Sequence, residues 1–233
     1  FSLEEENEHL SRRLRFLSTL ARLWQIVARQ TRRWGDYSDW PECIGEWLRT
    51  AQRNHAGLLD LLQSLHALEV PAPLGSYDSM IEYDKRRLLK EQVLDTAITT
   101  CLDTALAIRA LQGALPNLAS SSSGEKGSRA SKHNDWEPYA VELEQALVHG
   151  DAERARTLLP RFVKLVRKSP LLYVPLDAGG EPRQILRVRL TQATLRSLVE
   201  GLPRIGLLKE SFQLLLIARE MEQVNPPPGR RVT

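Results

Sequence analysis

Apolar residues recur at intervals of three and four through the first 118 residues, a pattern that predicts three long helices. Ser2 and Glu5 have the spacing of a capping box at the start of the first helix. Its apolar positions follow coiled-coil spacing over about four heptads, namely Leu3, Leu10, Leu14, Leu17, Ala21, Trp24 and Ala28. A second apolar stripe begins midway and predicts a second neighbouring helix; it comprises Phe16, Leu20, Leu23 and Val27.

Two breaks separate these helices. Gly35 can end the first helix, and Pro41 suits the opening turn of the second. Residues 70–75 contain two prolines and a glycine and separate the second helix from the third, which ends near Pro116. Since short connections favour antiparallel neighbours, we predict a coiled-coil-like antiparallel three-helix bundle over residues 1–118.

Residues 119–135 differ in composition, because they contain no apolar side chain larger than alanine. Such a segment buries too little apolar surface to offset the entropy lost on ordering. We therefore predict a flexible, serine-rich linker over residues 119–135. It would separate the bundle from a second domain at 136–233.

The second domain begins with a predicted helical hairpin, in which Gly150 ends one helix and Asp151 caps the next. Two short apolar segments then flank a turn at 177–180, which predicts a β-hairpin at about 171–190. Alternation would place Leu186, Val188 and Leu190 on one face of its second strand. Helices at about 191–201 and 207–223 complete an all-α fold with one β-hairpin.

The composition is that of an ordinary globular protein. The 233 residues are 42% hydrophobic and 26% charged, with a formal net charge of +3, which argues against disorder. The longest apolar run, 214–218, is far shorter than the roughly 20 residues that span a bilayer. No signal-peptide pattern opens the chain, and two cysteines cannot form a disulfide framework, so we expect a cytoplasmic protein. Because the chain begins with Phe1 rather than methionine, we expect a fragment of a larger protein.

No pattern of catalytic residues is found along the sequence. The five histidines lack the spacing of metal ligands, and the G-x-S-x-G, H-E-x-x-H and phosphate-loop motifs are absent. We therefore predict no enzymatic activity, no cofactor, no metal and no small-molecule substrate.

Arginines give the best functional lead. Arg15, Arg22, Arg29 and Arg33 are separated by seven, seven and four residues, which places them on one stripe of the first helix. Residues 9–33 contain seven arginines and no acid. Such a stripe can bind phosphates, carboxylates or anionic headgroups. The alternative is that the arginines form an ordinary solvent-exposed face. Their charge would then be neutralised by residues 34–118, which hold twelve acids and seven bases.

A second basic cluster is predicted on the outer face of the β-hairpin, formed by Arg183, Arg187 and Arg189. Three cations that precede the hairpin would join it, namely Lys164, Arg167 and Lys168. Aromatic residues are scarce there, so recognition of single strands by base stacking is poorly supported. Contacts with phosphates would be independent of sequence and strongly dependent on salt.

Residues 201–210, together with 218–222, resemble a segment of large uncharacterised bacterial helical proteins. That resemblance implies no activity. Residues 143–159, around Gly150 and Asp151, are similar to one hairpin of a tetratricopeptide-type repeat, of which a single copy is visible.

The sequence thus favours a non-catalytic scaffold or protein-protein interaction module that binds a protein partner or itself through helical seams. The alternative is anion-directed binding, to nucleic acid or an acidic membrane, through the arginine stripe. Arginines paired with acids of the second and third helices would favour the scaffold. Arginines that face solvent in one plane would favour the anion binder.

Overall fold

The computed structural model describes residues 3–31, 40–70, 72–73, 75–115, 136–174 and 180–225. These residues form seven α-helices and two 3₁₀ turns and contain no β-strand, so the predicted all-α class is confirmed. The helices are α1 (Leu3–Thr31), α2 (Trp40–Ala67), α3 (Tyr77–Ala114), α4 (Glu137–His149), α5 (Ala152–Lys168), α6 (Pro182–Gly201) and α7 (Leu208–Val224). The predicted linker at 119–135 lies outside the described residues. None of these seven helices combines the length and the apolarity that crossing a membrane requires.

Helix α3 is central to the first half, because it packs extensively against both α1 and α2, which touch each other little. Ile44 and Leu48 near the start of α2 pack with Leu111 near the end of α3. Leu62, further along α2, packs with Ile98, which precedes Leu111 in α3. The two helices are therefore antiparallel.

Helix α1 runs parallel to α3. Its buried Leu14 shares a cluster with Ile98, whereas Trp24, ten residues later, packs against the cluster that contains Leu111. Ser18 and Thr100 join the two helices through a hydroxyl–hydroxyl hydrogen bond of 2.8 Å. The second apolar stripe of α1 is covered unevenly, since Leu20 and Val27 are half-buried while Phe16 and Leu23 are exposed.

The predicted β-hairpin at 171–190 is wrong. Pro170–Tyr173 forms a 3₁₀ turn, and residues 182–190 form the first half of α6, with Pro182 in its opening turn. The alternation of Leu186 and Val188 has a different cause, because α6 is buried on two sides. Leu186 packs into the core between α2 and α3, whereas Val188 packs into the core of the second half.

Helices α4 to α7 surround one core. Gly150 ends α4 in the left-handed conformation, and the Asp151 carboxylate caps α5 by accepting from the Arg154 amide at 3.0 Å. Trp136 and Phe162 meet edge to face within this core, with ring centroids 6.0 Å apart. The core also touches the first half, because α3 packs against α4 and α6.

We expect opposite effects from two glycine-to-alanine substitutions. Gly206 has a φ of 82° between α6 and α7, so Gly206→Ala should lower the free energy of unfolding by about 1–2 kcal/mol. Gly57 lies within α2, and a Cβ there would meet no atom of another segment within 4 Å. Gly57→Ala should therefore raise the free energy of unfolding by about 0.5–1 kcal/mol. Urea denaturation of both variants checks the signs. Equal effects would contradict the assigned backbone conformation at 206.

Candidate functional site

The arginine stripe of α1 is described in part. Arg15 and Arg22 are exposed, and neither side chain forms a hydrogen bond or an ion pair with any described residue. Arg29 lies in the last turns of α1, and Arg33 lies outside the described residues. By contrast, Arg12 pairs with Glu8 of the same helix at 2.6 Å. The described part of the stripe therefore holds two cations that face solvent.

The second predicted cluster does not form the face expected of a β-hairpin. Arg183, Arg187 and Arg189 all lie on α6, where positions 187 and 189 are about 200° apart around the helix. Arg183 donates to the side-chain oxygen of Gln63 on α2 at 3.0 Å. Arg189 pairs with Asp95 of α3 at 3.1 Å. Two of the three arginines therefore join α6 to the first half of the chain.

A buried ion pair lies where the two halves meet, and the sequence analysis missed it. Arg109 of α3 and Glu144 of α4 form two parallel hydrogen bonds, Nη2 to Oε1 at 2.7 Å and Nε to Oε2 at 3.1 Å. Their side chains are only 6% and 13% exposed. The remaining Nη1 donates to the Thr194 hydroxyl of α6 at 2.6 Å. One guanidinium thus binds three helices together, and we call Arg109, Glu144 and Thr194 the clamp.

A signal for the clamp does exist in the sequence. Arg109 directly follows Ile108 and lies two residues before Leu111, in a helix whose other nearby residues are mostly apolar. An arginine in such a stretch indicates a buried partner carboxylate, because an unpaired charge is costly to bury. The sequence contains many glutamates, however, and nothing in the pattern singles out Glu144.

The outer face of α7 carries an apolar surface. Leu208 and Phe212 are 72% and 61% exposed, and Leu215 and Leu216 follow at helical spacing on the same side. The opposite side of α7 is buried in the core through Leu214, Ile217 and Met221. The helix is therefore apolar on two sides, and we call Leu208, Phe212, Leu215 and Leu216 the α7 face.

A groove between α6 and α7 continues from this face. Its volume is about 350 Å³, and it is lined by Gln192, Arg196, Val199, Leu215, Ala218, Arg219 and Glu222. Arg196 and Glu222 pair across it at 3.1 Å. Arg219 forms no ion pair with any described residue. Leu215 belongs to both the groove and the α7 face, so the two form one continuous surface.

The titratable groups with shifted pKa values lie in the interior. Burial raises the pKa of the Cys101 thiol to about 12, so this cysteine stays protonated. Burial lowers the pKa of His55, whose Nε2 has no hydrogen-bond partner among the described residues. Burial also raises the pKa of Glu137, against the opposing effect of Arg109 and Arg187. In the described part of the chain, no group of three acidic, histidine or cysteine side chains could hold a metal ion.

Comparisons with protein-family models, curated proteins and solved structures give no match to this chain. Its function is therefore argued from the geometry of these surfaces.

The clamp predicts a strong coupling between its charged members. Arg109→Met or Glu144→Met alone should lower the free energy of unfolding by roughly 3–5 kcal/mol, because each removes the bidentate partner of the other buried charge. The double variant should lose much less free energy of unfolding than the sum of the losses in the two single variants. Urea denaturation of the four proteins gives the coupling free energy.

An ion pair on the surface provides the control for this double-mutant cycle. Arg86 and Glu82 lie 3.0 Å apart on the exposed side of α3. Arg86→Ala should shift stability by no more than about 0.5 kcal/mol. Additive effects of the two clamp substitutions would show that Arg109 and Glu144 do not interact in solution.

Proposed function

We propose that this chain is a non-catalytic protein-protein interaction module that binds a partner helix on the α7 face. The observation that carries the proposal is the continuity of this exposed apolar surface with the groove. Contiguous exposed apolar patches are typical of interaction sites. A scaffold role fits the same surface, and the unpaired Cys43 and Cys101 suit a reducing compartment.

An amphipathic helix is the occupant that fits this geometry. Positions 208, 212, 215 and 216 repeat the i, i+4, i+7, i+8 spacing by which one helix packs on another. A groove beside such a row is a common way to receive the apolar face of a helix. Arg219 is the charge in the groove that lacks a described partner, so a carboxylate beside the apolar stripe of the incoming helix would complement it.

Two synthetic helical peptides test this proposal. Both carry leucine at the a and d positions of successive heptads, with glutamate in one and lysine in the other at the remaining exposed positions. We expect the acidic peptide to bind with micromolar affinity and the basic peptide to bind at least about tenfold more weakly. Fluorescence anisotropy with labelled peptides measures both affinities.

A matched pair of variants locates the binding surface. Leu216 and Leu89 are 45% and 44% exposed, on α7 and α3 respectively. Leu216→Asp should weaken binding of the acidic peptide by roughly tenfold or more, whereas Leu89→Asp should leave it unchanged. The proposal fails if neither peptide binds, or if the two variants bind the acidic peptide equally well.

Anion-directed binding is the second candidate, supported by the exposed, unpaired Arg15 and Arg22. Both lie on the same side of α1, where cations can reach phosphates in a duplex or in an acidic headgroup. The ion pair of Arg189 and the hydrogen bond of Arg183 count against a basic surface on α6.

A salt series with labelled duplex DNA and RNA tests the second candidate. If it is correct, affinity should fall steeply as salt rises, because counterions are released on binding. The Arg15→Gln/Arg22→Gln variant should bind more weakly with a shallower salt slope, and Arg86→Gln serves as the control. Binding that persists unchanged in the double variant, or no binding at low salt, would reject this role for α1.

A further inference from the structure

Three charged side chains line the groove between α6 and α7, and they differ in how they are paired. Arg196 of α6 and Glu222 of α7 form an ion pair across the groove at 3.1 Å. Arg219 is exposed on α7 and forms no ion pair with any described residue. Since two arginines and one glutamate line the groove, its side chains carry one more positive than negative charge.

The other polar groups that line the groove have partners within the fold. The Gln192 side-chain nitrogen donates to the backbone carbonyl oxygen of Asn225 at 3.1 Å, where α7 ends. The backbone carbonyl oxygen of Val199 accepts from the Ser211 hydroxyl at 2.8 Å. Arg219 is therefore the group that an incoming anion can neutralise.

Glu222 is a close neighbour of Arg219. It lies three residues later on α7, at a spacing that brings two helix residues side by side. Its carboxylate pairs with Arg196 on the other wall of the groove instead. An anion bound to Arg219 therefore lies about one helical turn from a carboxylate, which repels any negative charge beyond the one that Arg219 neutralises.

We propose that Glu222 determines which anionic side chain the groove accepts from a partner helix. By holding Arg196, it restricts the groove to a single carboxylate and disfavours a phosphorylated side chain. A carboxylate carries one negative charge, whereas phosphoserine carries about 1.5 to 2 at neutral pH. This inference rests on the proposed binding of a helix to the α7 face and adds the chemical class of the side chain that enters the groove.

Three synthetic helical peptides test the inference. Each carries leucine at the a and d positions of successive heptads, uncharged residues elsewhere, and one variable residue beside the leucine stripe. The variable residue is glutamate, glutamine or phosphoserine. We expect the unmodified chain to bind the glutamate peptide at least about threefold more tightly than the glutamine peptide. It should bind the phosphoserine peptide no more tightly than the glutamate peptide, as fluorescence anisotropy with labelled peptides measures.

Two substitutions in the groove should change this ranking in different ways. Arg219→Gln should abolish the preference for glutamate over glutamine, because Arg196 stays paired with Glu222. Glu222→Gln leaves both arginines unpaired, so the phosphoserine peptide should bind at least about threefold more tightly than the glutamate peptide. The side chains of Arg196 and Glu222 are 69% and 43% exposed, so Glu222→Gln frees Arg196 without leaving a buried charge.

An exposed ion pair on α3 gives the matched control. Glu82 and Arg86 lie 3.0 Å apart there. Glu82→Gln also removes one acid and frees one arginine, but away from the groove. It should leave the ranking of the three peptides unchanged. Circular dichroism verifies that each variant keeps its helices.

Each outcome decides the inference. It is established by a glutamate preference that requires Arg219, together with a phosphoserine preference that appears in Glu222→Gln but not in Glu82→Gln. Equal binding of the glutamate and glutamine peptides, a phosphoserine preference in the unmodified chain, or a ranking that Glu222→Gln leaves unchanged overturns it. In those cases, peptide binding that Leu216→Asp weakens would still support a helix on the α7 face. If none of the three peptides binds, both proposals are rejected.

Discussion

The buried ion pair between Arg109 and Glu144 constrains how the two halves of the chain meet. A desolvated pair contributes little net stability, but separating its members is costly, so it acts mainly on geometry. The bidentate contact fixes the approach of α4 to α3, and the hydrogen bond to Thr194 fixes α6 relative to both. Sliding α3 or α4 by a turn would separate Arg109 from Glu144 and leave each charge buried without its partner, whereas sliding α6 would break the hydrogen bond to Thr194.

The position of α6 in turn determines which side of α7 is exposed. Leu195 and Leu198 on α6 pack in the same core as Leu214 and Ile217 on α7, which turns the α7 face outward. The Ser211 hydroxyl donates to the carbonyl oxygen of Val199 at 2.8 Å and fixes the axial position of α7 relative to α6. The groove therefore lies between helices that are held in the interior, a rigid setting for a docked helix.

Sequence pattern predicted the local structure well where each helix has one buried side. The heptad spacing of α1 and the Gly150–Asp151 break led to helices that the structure contains. The hydrophobic pattern predicted a strand where the structure has the first half of α6. Leu186 and Val188 are buried on two different sides of this helix, so apolar and polar residues alternate there as they do along a strand. The pattern also failed for the clamp, since the partner of Arg109 is 35 residues away and no spacing rule connects them. Exposure of the α7 face depends on packing that no single helix reveals.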